Sequence, residues 1–540
     1  MKKIIFAFAL MLFAAKSFAQ VPYTKTTVIS GLSYPIEFVF TPDDHRFLIT
    51  QKDGLIKVND FSGTSLGTFY DLTDSVYNDF ERGLLGICVD PDYLTNHYVY
   101  VYYIYYYNNI QASRIERFTD VNNVGTNPTV IVNIPLSNSI PGNHVGGNVR
   151  FRPSDPDHIY FSIGDLASGS NAQMLTNPFG KMNRVEKTGL IPTDNPFYDD
   201  GNPFTGNCDY IWSYGHRNPF DFTFGPNDSL YISENGLNTQ DEFNLGRRAG
   251  NYGWQICEGA LQYGSTQPCN NPNLINPLTI WNSPLQSVTG VIYYTGCMFP
   301  QYKNHIIIGN NDQGQIFDLK LGNLPEGTSV VSNTMIGDVT TSGGLTGIQQ
   351  GPEDAIYCMY GGYTSNGAIY RLWKNPDTIS VTPGDSQIIC LDTVTLLHAD
   401  TAANYAFQWK KNGNDIAGAT YADYSPNATG MYTVSVTDNA SGCFISADSV
   451  HVTVTICSSI QEISTDYFSV YPNPSNSEFT VVLKCNAAVS MLNAEGKKIV
   501  EMKSVTPGTF KTGKELKPGI YFLEVETKDG KKFSQKLLKS

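Results

Sequence analysis

From about Thr24 to Trp373 the sequence repeats one theme: a run rich in β-branched and aromatic residues, a turn built on Asp, Asn, Pro or Gly, and another such run. Clear instances are YVYVYYIYYY, HIYFSIGD, SLYISENG, HIIIGNND and AIYCMYGG. Because no long amphipathic helix separates the runs, the pattern favours antiparallel blades over a sheet of βαβ units. A single sandwich would give similar strands, but about 350 residues would be unusual for one. The pattern therefore predicts an all-β fold containing a β-propeller.

Length and composition agree with this prediction. A chain of 540 residues is longer than one core usually serves, so two to four domains are expected. Charged residues make up only 16% and aromatic residues reach 12%, which suits many short strands. The formal net charge of −14 argues against a nucleic-acid partner, since such partners are bound through Lys and Arg.

The N-terminus has the pattern of a signal peptide over residues 1–19. Lys2 and Lys3 precede an apolar run from Ile4 to Ala15, and Ser17-Phe18-Ala19 suits cleavage before Gln20. A buried or membrane helix is the weaker alternative, because the run is shorter than the roughly 20 residues that a bilayer span needs. The sequence predicts a secreted or cell-surface protein with no transmembrane segment in the mature chain.

The cysteines also fit an oxidising compartment. The chain has ten of them, and Cys257 and Cys269 flank a short polar loop in the way a local disulfide would. No CxxC pair occurs, which argues against zinc and thioredoxin chemistry.

A second module is predicted over residues 378–456, after the propeller of residues 20–373. Trp409 lies between Cys390 and Cys443, and Tyr432 lies in a GMYTVSV strand. The module resembles an immunoglobulin-like β-sandwich, and this resemblance implies a disulfide between Cys390 and Cys443 that bridges the two sheets. Nothing in the module indicates a site, so a spacer is the simpler interpretation.

The last segment, residues 467–540, is predicted to be a small β-sandwich. It has a YPNP turn at Tyr471 to Pro474, a Gly519-Ile520-Tyr521 strand entry and a basic KLLK end at Lys536 to Lys539. These residues resemble the C-terminal sorting domain of the type IX secretion system. The resemblance implies that the secretion machinery is a partner and that the chain crosses the outer membrane.

Three stretches of the predicted propeller carry polar residues that ordinary blades do not need. In GNHVGGNVRF, His144 is next to two glycines, Gly146 and Gly147, that permit close backbone approach, so it is a candidate general base. A structural histidine is the alternative.

In YGHRNPFDFTFGP, Arg217 and Asn218 precede Pro219, which fixes the turn. Both side chains could be directed into a central channel, where a guanidinium suits planar or anionic groups. An arginine that braces a blade is the alternative.

The third stretch is acidic. Glu234, Asp241 and Glu242 cluster with Asn235 and Gly236 and supply the oxygen ligands that calcium prefers. The spacing differs from an EF-hand, and a solvated acidic loop remains the alternative.

The order of these motifs resembles the glucose/sorbosone dehydrogenase family, whose soluble members are six-bladed propellers that use pyrroloquinoline quinone and calcium. The resemblance covers about residues 24–373. The motifs that carry it are ERGLLGICVDPDY at 81–93, HVGGNVRF, Gly164-Asp165, YGHRNPFDFTF, SENG with DEFNL, and NYGW.

The resemblance implies a role for each residue at these positions. His144 would take the proton from the anomeric hydroxyl of a sugar while hydride passes to the quinone, and Asp165 would orient the imidazole. Arg217 and Asn218 would contact the quinone and polarise its reacting carbonyl.

The resemblance also implies a calcium ion next to the cofactor. Backbone carbonyls of the loop Asn235-Gly236-Leu237 would hold it, and binding by Glu234 or Asp241 is the weaker alternative.

Four positions depart from the family pattern at the groups that contact an anionic cofactor. Glu81 replaces a Gln and places a carboxylate near the quinone, Asp312 stands where a Lys is expected, and Gly344 and Thr346 replace a pair of arginines. Each lost charge-assisted bond costs about 1.5–3 kcal/mol.

Two functions are consistent with these sequence features. The first is an exported quinone-dependent sugar dehydrogenase that acts on the C1 hydroxyl. The second is a non-catalytic propeller that binds glycans or proteins at the cell surface. A hydrolase is a distant third, because no nucleophile motif or clear carboxylate pair is present.

Overall fold

The computed structural model describes residues 23–282, 286–362, 364–375, 377–384, 386–390, 395–455 and 466–540. The predicted signal peptide lies outside the described residues. Among those that are described, no helix is long and apolar enough to cross a membrane. The chain forms two compact units, Met1–Asp377 with Asp438–Phe444, and Thr378–Thr437 with Ile445–Ser540.

The first unit contains six four-stranded antiparallel sheets within its described residues, here called blades 1 to 6. Strand β1 (Thr24–Leu32) precedes them. Blade 1 consists of β2 (Pro35–Phe40), β3 (Phe47–Gln51), β4 (Leu55–Asn59) and β5 (Ser65–Asp71). Blade 2 consists of β6 (Leu84–Val89), β7 (Tyr98–Tyr107), β8 (Ile110–Val121) and β9 (Val124–Leu136). Blade 3 consists of β10 (Val149–Arg152), β11 (Asp155–Ile163), β12 (Lys181–Glu186) and β13 (Ile211–Tyr214).

Blade 4 contains β14 (Pro219–Phe224), β15 (Leu230–Glu234) and β16 (Gln240–Gly246); the chain then forms a hairpin, β17 (Cys257–Glu258) and β18 (Leu261–Gln262), before β19 (Thr279–Asn282) completes the blade. Blade 5 consists of β20 (Val288–Tyr294), β21 (His305–Asn310), β22 (Gln315–Gly322) and β23 (Ser329–Asp338). Blade 6 consists of β24 (Leu345–Gln350), β25 (Ile356–Tyr360), β26 (Gly367–Trp373) and β1. The helices are short: α1 (Tyr93–Asn96), α2 (Ser170–Gln173) and 3-10 turns at Pro226–Asp228 and Pro300–Tyr302.

Two features close the six blades into a ring. The first strands of successive blades contact one another in the cycle β2, β6, β10, β14, β20, β24 and back to β2. Strand β1 pairs antiparallel with β26, so the start of the chain completes the last blade. This arrangement confirms the predicted six-bladed propeller and leaves the six innermost strands around one axis.

The aromatic run of β7 shows why these residues form blades. Its side chains from Val99 to Ile104 are buried, because a blade packs against a neighbour on each face. Tyr100 and Tyr102 join Val149 and Phe161 of blade 3 in one apolar cluster, and burying each large side chain contributes roughly 1.5–3 kcal/mol. The tyrosine hydroxyls find partners inside, as when Tyr102 donates to the Val145 carbonyl over 2.7 Å.

After Asp377 the described chain forms two further groups of sheets. The first group consists of a seven-stranded and a three-stranded sheet whose shared core includes the fully buried Trp409. Its strands are β27 (Thr378–Ile379), β28 (Val381–Thr382), β29 (Gln387–Cys390), β30 (Leu397–Ala399), β31 (Tyr405–Lys411), β32 (Asn414–Asp415), β33 (Asp423–Tyr424), β34 (Gly430–Asp438), β35 (Cys443–Ala447) and β36 (Val450–Thr455). The immunoglobulin-like assignment remains a prediction.

The second group is a three-stranded and a four-stranded sheet around a core that includes Phe468, Val481 and Leu523. Its strands are β37 (Phe468–Tyr471), β38 (Phe479–Leu483), β39 (Ala487–Asn493), β40 (Lys498–Val505), β41 (Gly508–Thr512), β42 (Gly519–Thr527) and β43 (Lys532–Lys539). A small C-terminal β-sandwich was predicted here and is confirmed.

The disulfides match one sequence prediction and correct another. Cys257 and Cys269 are bonded, with their Cα atoms 5.9 Å apart. Cys443 is bonded to Cys297 over a Cα distance of 5.5 Å, so the predicted pairing of Cys443 with Cys390 is wrong. The spacing of cysteines around a tryptophan does not fix which thiol lies within reach, and the segment that carries Cys443 belongs to the same compact unit as Cys297.

Candidate active site

A cavity of about 420 Å³ lies where the six innermost strands converge. Every blade contributes to its wall, through the residues Glu37, Leu85, Asn148, Phe220, Thr289 and Thr346 in blade order. The lining also includes most of the residues singled out in the sequence: Glu81, His144, Arg217, Asn218, Asn235, Gly236, Leu237 and Asp312. Asp165, Glu234, Asp241 and Gly344 do not line the cavity.

His144 is held by a carboxylate behind the cavity wall. Its Nδ1 lies 2.6 Å from Oδ1 of the buried Asp165, and the indole nitrogen of Trp254 donates to the other oxygen of Asp165 over 2.7 Å. A carboxylate only accepts, so Nδ1 of His144 carries the proton and Nε2 is left as a proton acceptor. The arrangement gives a half-buried imidazole that can act as a base.

The backbone around this pair needs unusual conformations. His144, Leu166 and Ala167 all have left-handed φ values, 54°, 56° and 57°. A Cβ atom on Gly146 would collide with the carbonyl of Ser162, which explains why a glycine occupies this position two residues after His144. Backbone held in sparsely populated regions is typical of functional sites.

Arg217 and Asn218 form the neighbouring part of the wall. The Arg217 backbone N–H donates to Glu234 Oε1 over 2.5 Å, and its guanidinium donates to the Asn235 carbonyl over 3.0 Å. Burial lowers the pKa of Arg217. Arg217 Nε and Asn218 Oδ1 are buried and find no hydrogen-bond partner among the described residues.

Glu234 and Asp241 of the acidic stretch make contacts that stabilise the loops around Arg217. Glu234 Oε2 lies 2.8 Å from Nδ1 of the buried His216. Asp241 accepts hydrogen bonds from the backbone N–H groups of Gly236, Gln286 and Ser287, each at 2.8 Å. Glu234 and Asp241 thus face the loop interior rather than the cavity.

Glu258 fixes the backbone of the same loop. Its Oε1 accepts the N–H groups of Leu237, Asn238 and Thr239 at 2.7–2.8 Å. Burial raises the pKa of Glu258, but these bonds outweigh burial and hold it below its usual range. Since N–H and C=O point in opposite directions across a trans peptide, the Gly236 and Leu237 carbonyls are directed away from Glu258.

The four departures from the family pattern differ in their surroundings. Glu81 accepts the His144 backbone N–H over 2.6 Å. Asp312 is exposed at the cavity rim, and the buried Thr346 Oγ1 has no partner among the described residues. Gly344 has a φ of 84°, and a Cβ atom there would lie 2.6 Å from the Tyr360 ring, so no larger residue fits.

A polar network forms the floor of the cavity. Asn148 Nδ2 donates to Glu37 over 3.0 Å and to Asp221 over 2.6 Å, and Arg150 pairs with Asp221 at 2.8 Å. Burial, followed by the charge of Asp221, raises the pKa of Glu37 to about 7. The cavity lining therefore carries three carboxyl groups, Glu37, Glu81 and Asp312, against two basic side chains, Lys52 and Arg217.

Sequence reasoning missed three of these residues as site residues. Trp254 belongs to the NYGW motif, but its bond to Asp165 spans 89 positions. Glu258 follows a cysteine in the short strand β17, and Glu37 lies in a strand whose sequence is typical of ordinary core. Only the NYGW motif carried a signal that could have found one of them.

Comparison with known proteins decides the family. The sequence profile described as glucose/sorbosone dehydrogenase matches residues 32–371, well over half of the chain. The chain belongs to the glucose/sorbosone dehydrogenase family. A second profile, the secretion system C-terminal sorting domain, matches residues 469–540. The predicted type IX sorting domain is thereby confirmed, and it directs export across the outer membrane.

Two relatives of the chain carry the names of sugar dehydrogenases. Aldose sugar dehydrogenase YliI of Escherichia coli is 26% identical over 341 residues, which cover 61% of this chain and 87% of that protein. Quinoprotein glucose dehydrogenase B of Acinetobacter calcoaceticus is 29% identical over 296 residues, or 48% of this chain and 60% of that protein. At this identity the relatives indicate a sugar-dehydrogenase-like protein.

Solved structures support the fold. The apo form of the soluble aldose sugar dehydrogenase of Escherichia coli has a TM-score of 0.56 at 22% identity and covers 66% of this chain and all of the other. The PQQ-bound aldose sugar dehydrogenase of Streptomyces coelicolor has a TM-score of 0.51 at 21% identity, covering 65% of this chain and 98% of the other. These likenesses concern the propeller fold alone.

Proposed function

We propose that this protein is an exported oxidoreductase that oxidises the C1 hydroxyl of sugars, with His144 as the general base. The observation that carries the proposal is the His144–Asp165 pair, whose free Nε2 belongs to an imidazole that lines the axial cavity. Nε2 of His144 would accept the hydroxyl proton of the sugar, and a bound quinone would supply the two-electron acceptor for the hydride of C1.

Pyrroloquinoline quinone is the acceptor that family membership favours, and one wall of the cavity suits it. Arg217 and Asn218 line that wall, and their side-chain N–H groups are suited to donate to a polar ligand. Arg217 would donate to a quinone carbonyl, and the hydride acceptor chemistry belongs to the bound quinone.

Calcium would be held by the carbonyls of Gly236 and Leu237. The N–H groups on the other side of these two peptides, those of Leu237 and Asn238, are both fixed by Glu258, which leaves the loop pre-organised for an oxygen-ligated cation. Such an ion would offset the three carboxyl groups of the lining. Cofactor binding is therefore expected to require calcium.

A specific observation favours a second function, a propeller that binds glycans or proteins without turnover. The cavity lining includes Asp312 from blade 5 and Thr346 from blade 6, and neither supplies a cation to pair with a carboxylate of the quinone. A neutral, hydroxyl-rich ligand carries no carboxylate that would be left without a cationic partner there.

The two functions are separated by assaying the mature chain, from residue 20, with pyrroloquinoline quinone, calcium and an artificial electron acceptor. The oxidoreductase predicts acceptor reduction with aldoses. Binding on a glycan array together with no reduction at saturating cofactor would favour the second function instead.

A further inference from the structure

A group of three carboxylates lies outside the axial cavity, in the long connection between β12 and β13 of blade 3. Asp199, Asp200 and Asp209 each place one oxygen within 4.8 Å of the oxygens of the other two. In the described part of the chain, this is the one group of three or more potential metal-ligating side chains at such distances. None of the three lines the cavity.

Asp209 provides the second observation. Its side chain is fully buried, at 0% exposure, and Oδ1 accepts the Asp199 backbone N–H over 2.7 Å. Its other oxygen, Oδ2, is buried without a hydrogen-bond partner among the described residues. A buried carboxylate oxygen with no donor destabilises the folded protein unless a ligand satisfies it.

Neutral groups donate to the two exposed carboxylates, Asn202 and Thr205 to Asp200 and Asn207 to Asp199, but no cationic side chain among the described residues pairs with the group. Arg184 on β12 pairs with Asp155 and Asp194, and none of the ion pairs between described residues includes Asp199, Asp200 or Asp209. Three carboxylates at this separation repel one another, and the repulsion is screened least at Asp209, the buried member of the group. A cation would remove both the repulsion and the unsatisfied oxygen.

We propose that Asp199, Asp200 and Asp209 bind a calcium ion or a similar hard divalent cation, with Asp209 Oδ2 as the buried ligand. An all-carboxylate set selects a hard cation over zinc or copper, which prefer nitrogen and sulfur. The site fixes the connection that leads from β12 to β13. It is separate from the calcium proposed at the Gly236 and Leu237 carbonyls and does not depend on the proposed function.

The test uses the mature full-length protein, stripped of metal with a chelator. Calcium binding is measured by calorimetry, and terbium luminescence is excited through tyrosine, since Tyr198 precedes the cluster in the chain. Asp200 is exposed, so Asp200→Asn leaves the core unchanged, whereas Asp209→Asn risks misfolding. Asp74→Asn, at an exposed carboxylate elsewhere on the propeller, is the matched control.

The expected result is that the wild type and Asp74→Asn bind one more calcium equivalent than Asp200→Asn, or bind it at least about tenfold more tightly. The unfolding temperature of the wild type should rise with calcium by several degrees more than that of Asp200→Asn, as linkage requires. Equal stoichiometry, affinity and temperature shift in wild type and Asp200→Asn would overturn the proposal, as would the absence of calcium binding at 5–10 times the roughly 1 mM of weak extracellular sites. Activity is not a readout, so failure here leaves the proposed function untouched.

Discussion

His144 Nδ1 lies 2.6 Å from Asp165 Oδ1, although the two residues belong to different loops 21 positions apart. The second oxygen of Asp165 is occupied by Trp254 Nε1, so the carboxylate has one orientation in which it can serve the imidazole. This relationship defines which nitrogen of His144 is free to accept a proton, and the chemistry of the cavity follows from it.

Asp165→Asn tests that relationship. The amide can present a donor to Nδ1 and so favour the wrong tautomer, and we expect kcat for sugar oxidation to fall by about 10²-fold or more with little change in cofactor affinity. Steady-state kinetics with the artificial acceptor measure the effect. Trp254→Phe keeps an aromatic ring but loses the N–H donor, and it should lower kcat by less than Asp165→Asn does. Equal kcat for Asp165→Asn and wild type would contradict the role given to Asp165.

Cations placed on the part of the cavity wall that Asp312 and Thr346 form should restore contacts to an anionic cofactor. We expect Asp312→Lys and Thr346→Arg each to raise the affinity for pyrroloquinoline quinone by about tenfold, the equivalent of one charge-assisted bond. Calorimetric titration measures the affinity. Gly344→Arg is the contrasting variant, because its side chain would meet the Tyr360 ring and should lower stability instead. No gain from either cation would show that this wall does not face the cofactor.

Glu37 should make stability fall as pH rises. Its pKa is about 7 in the folded protein because of burial and Asp221, against roughly 4.3 when unfolded. The folded state holds the proton more tightly, so this contribution is present below about pH 4.3 and is lost as pH rises through about 7. Glu37→Gln should therefore gain up to about 3 kcal/mol in free energy of unfolding relative to wild type between pH 5 and pH 8.

Denaturant unfolding at the two pH values measures that difference. Glu326→Gln, at an exposed carboxylate of the same propeller, is the control and should show no such trend. A difference between Glu37→Gln and wild type that stays constant with pH would contradict the account of the cavity floor.

The disulfide pattern can be checked without mutagenesis. Peptide mapping of the non-reduced, mature protein should yield a peptide that joins Cys297 to Cys443, and Cys257 joined to Cys269. The first bond closes a loop across 146 positions, so removing it should cost about 2–5 kcal/mol of stability. A peptide that links Cys443 to Cys390 would contradict the structure.

Sequence reasoning found the parts of the site that local patterns mark. His144, Arg217 and Asn218 lie in the cavity because glycines and a proline fix their backbone, and such residues are visible in the sequence. The propeller was predictable because the strand and turn pattern recurs. Trp254, Glu258 and the partner of Cys443 were not, since each depends on contacts between blades or loops that are far apart in the sequence.

Glu37 shows a different limit. Its strand has the composition of ordinary core, and only the ring of six innermost strands places its carboxyl group beside Asn148 and Asp221. The charge of the cavity, with three carboxyl groups and two basic side chains, is likewise a property of the assembled propeller.

The most direct measurement is sugar-dependent reduction of an artificial electron acceptor by the calcium-loaded mature protein at saturating pyrroloquinoline quinone, with His144→Ala measured alongside. The proposed oxidoreductase predicts turnover of aldoses by the wild type and a loss of about 10²- to 10⁴-fold in His144→Ala, while the variant still binds the cofactor. Calorimetry that shows cofactor binding to both proteins with no turnover in either, or turnover that does not depend on His144, would contradict the account.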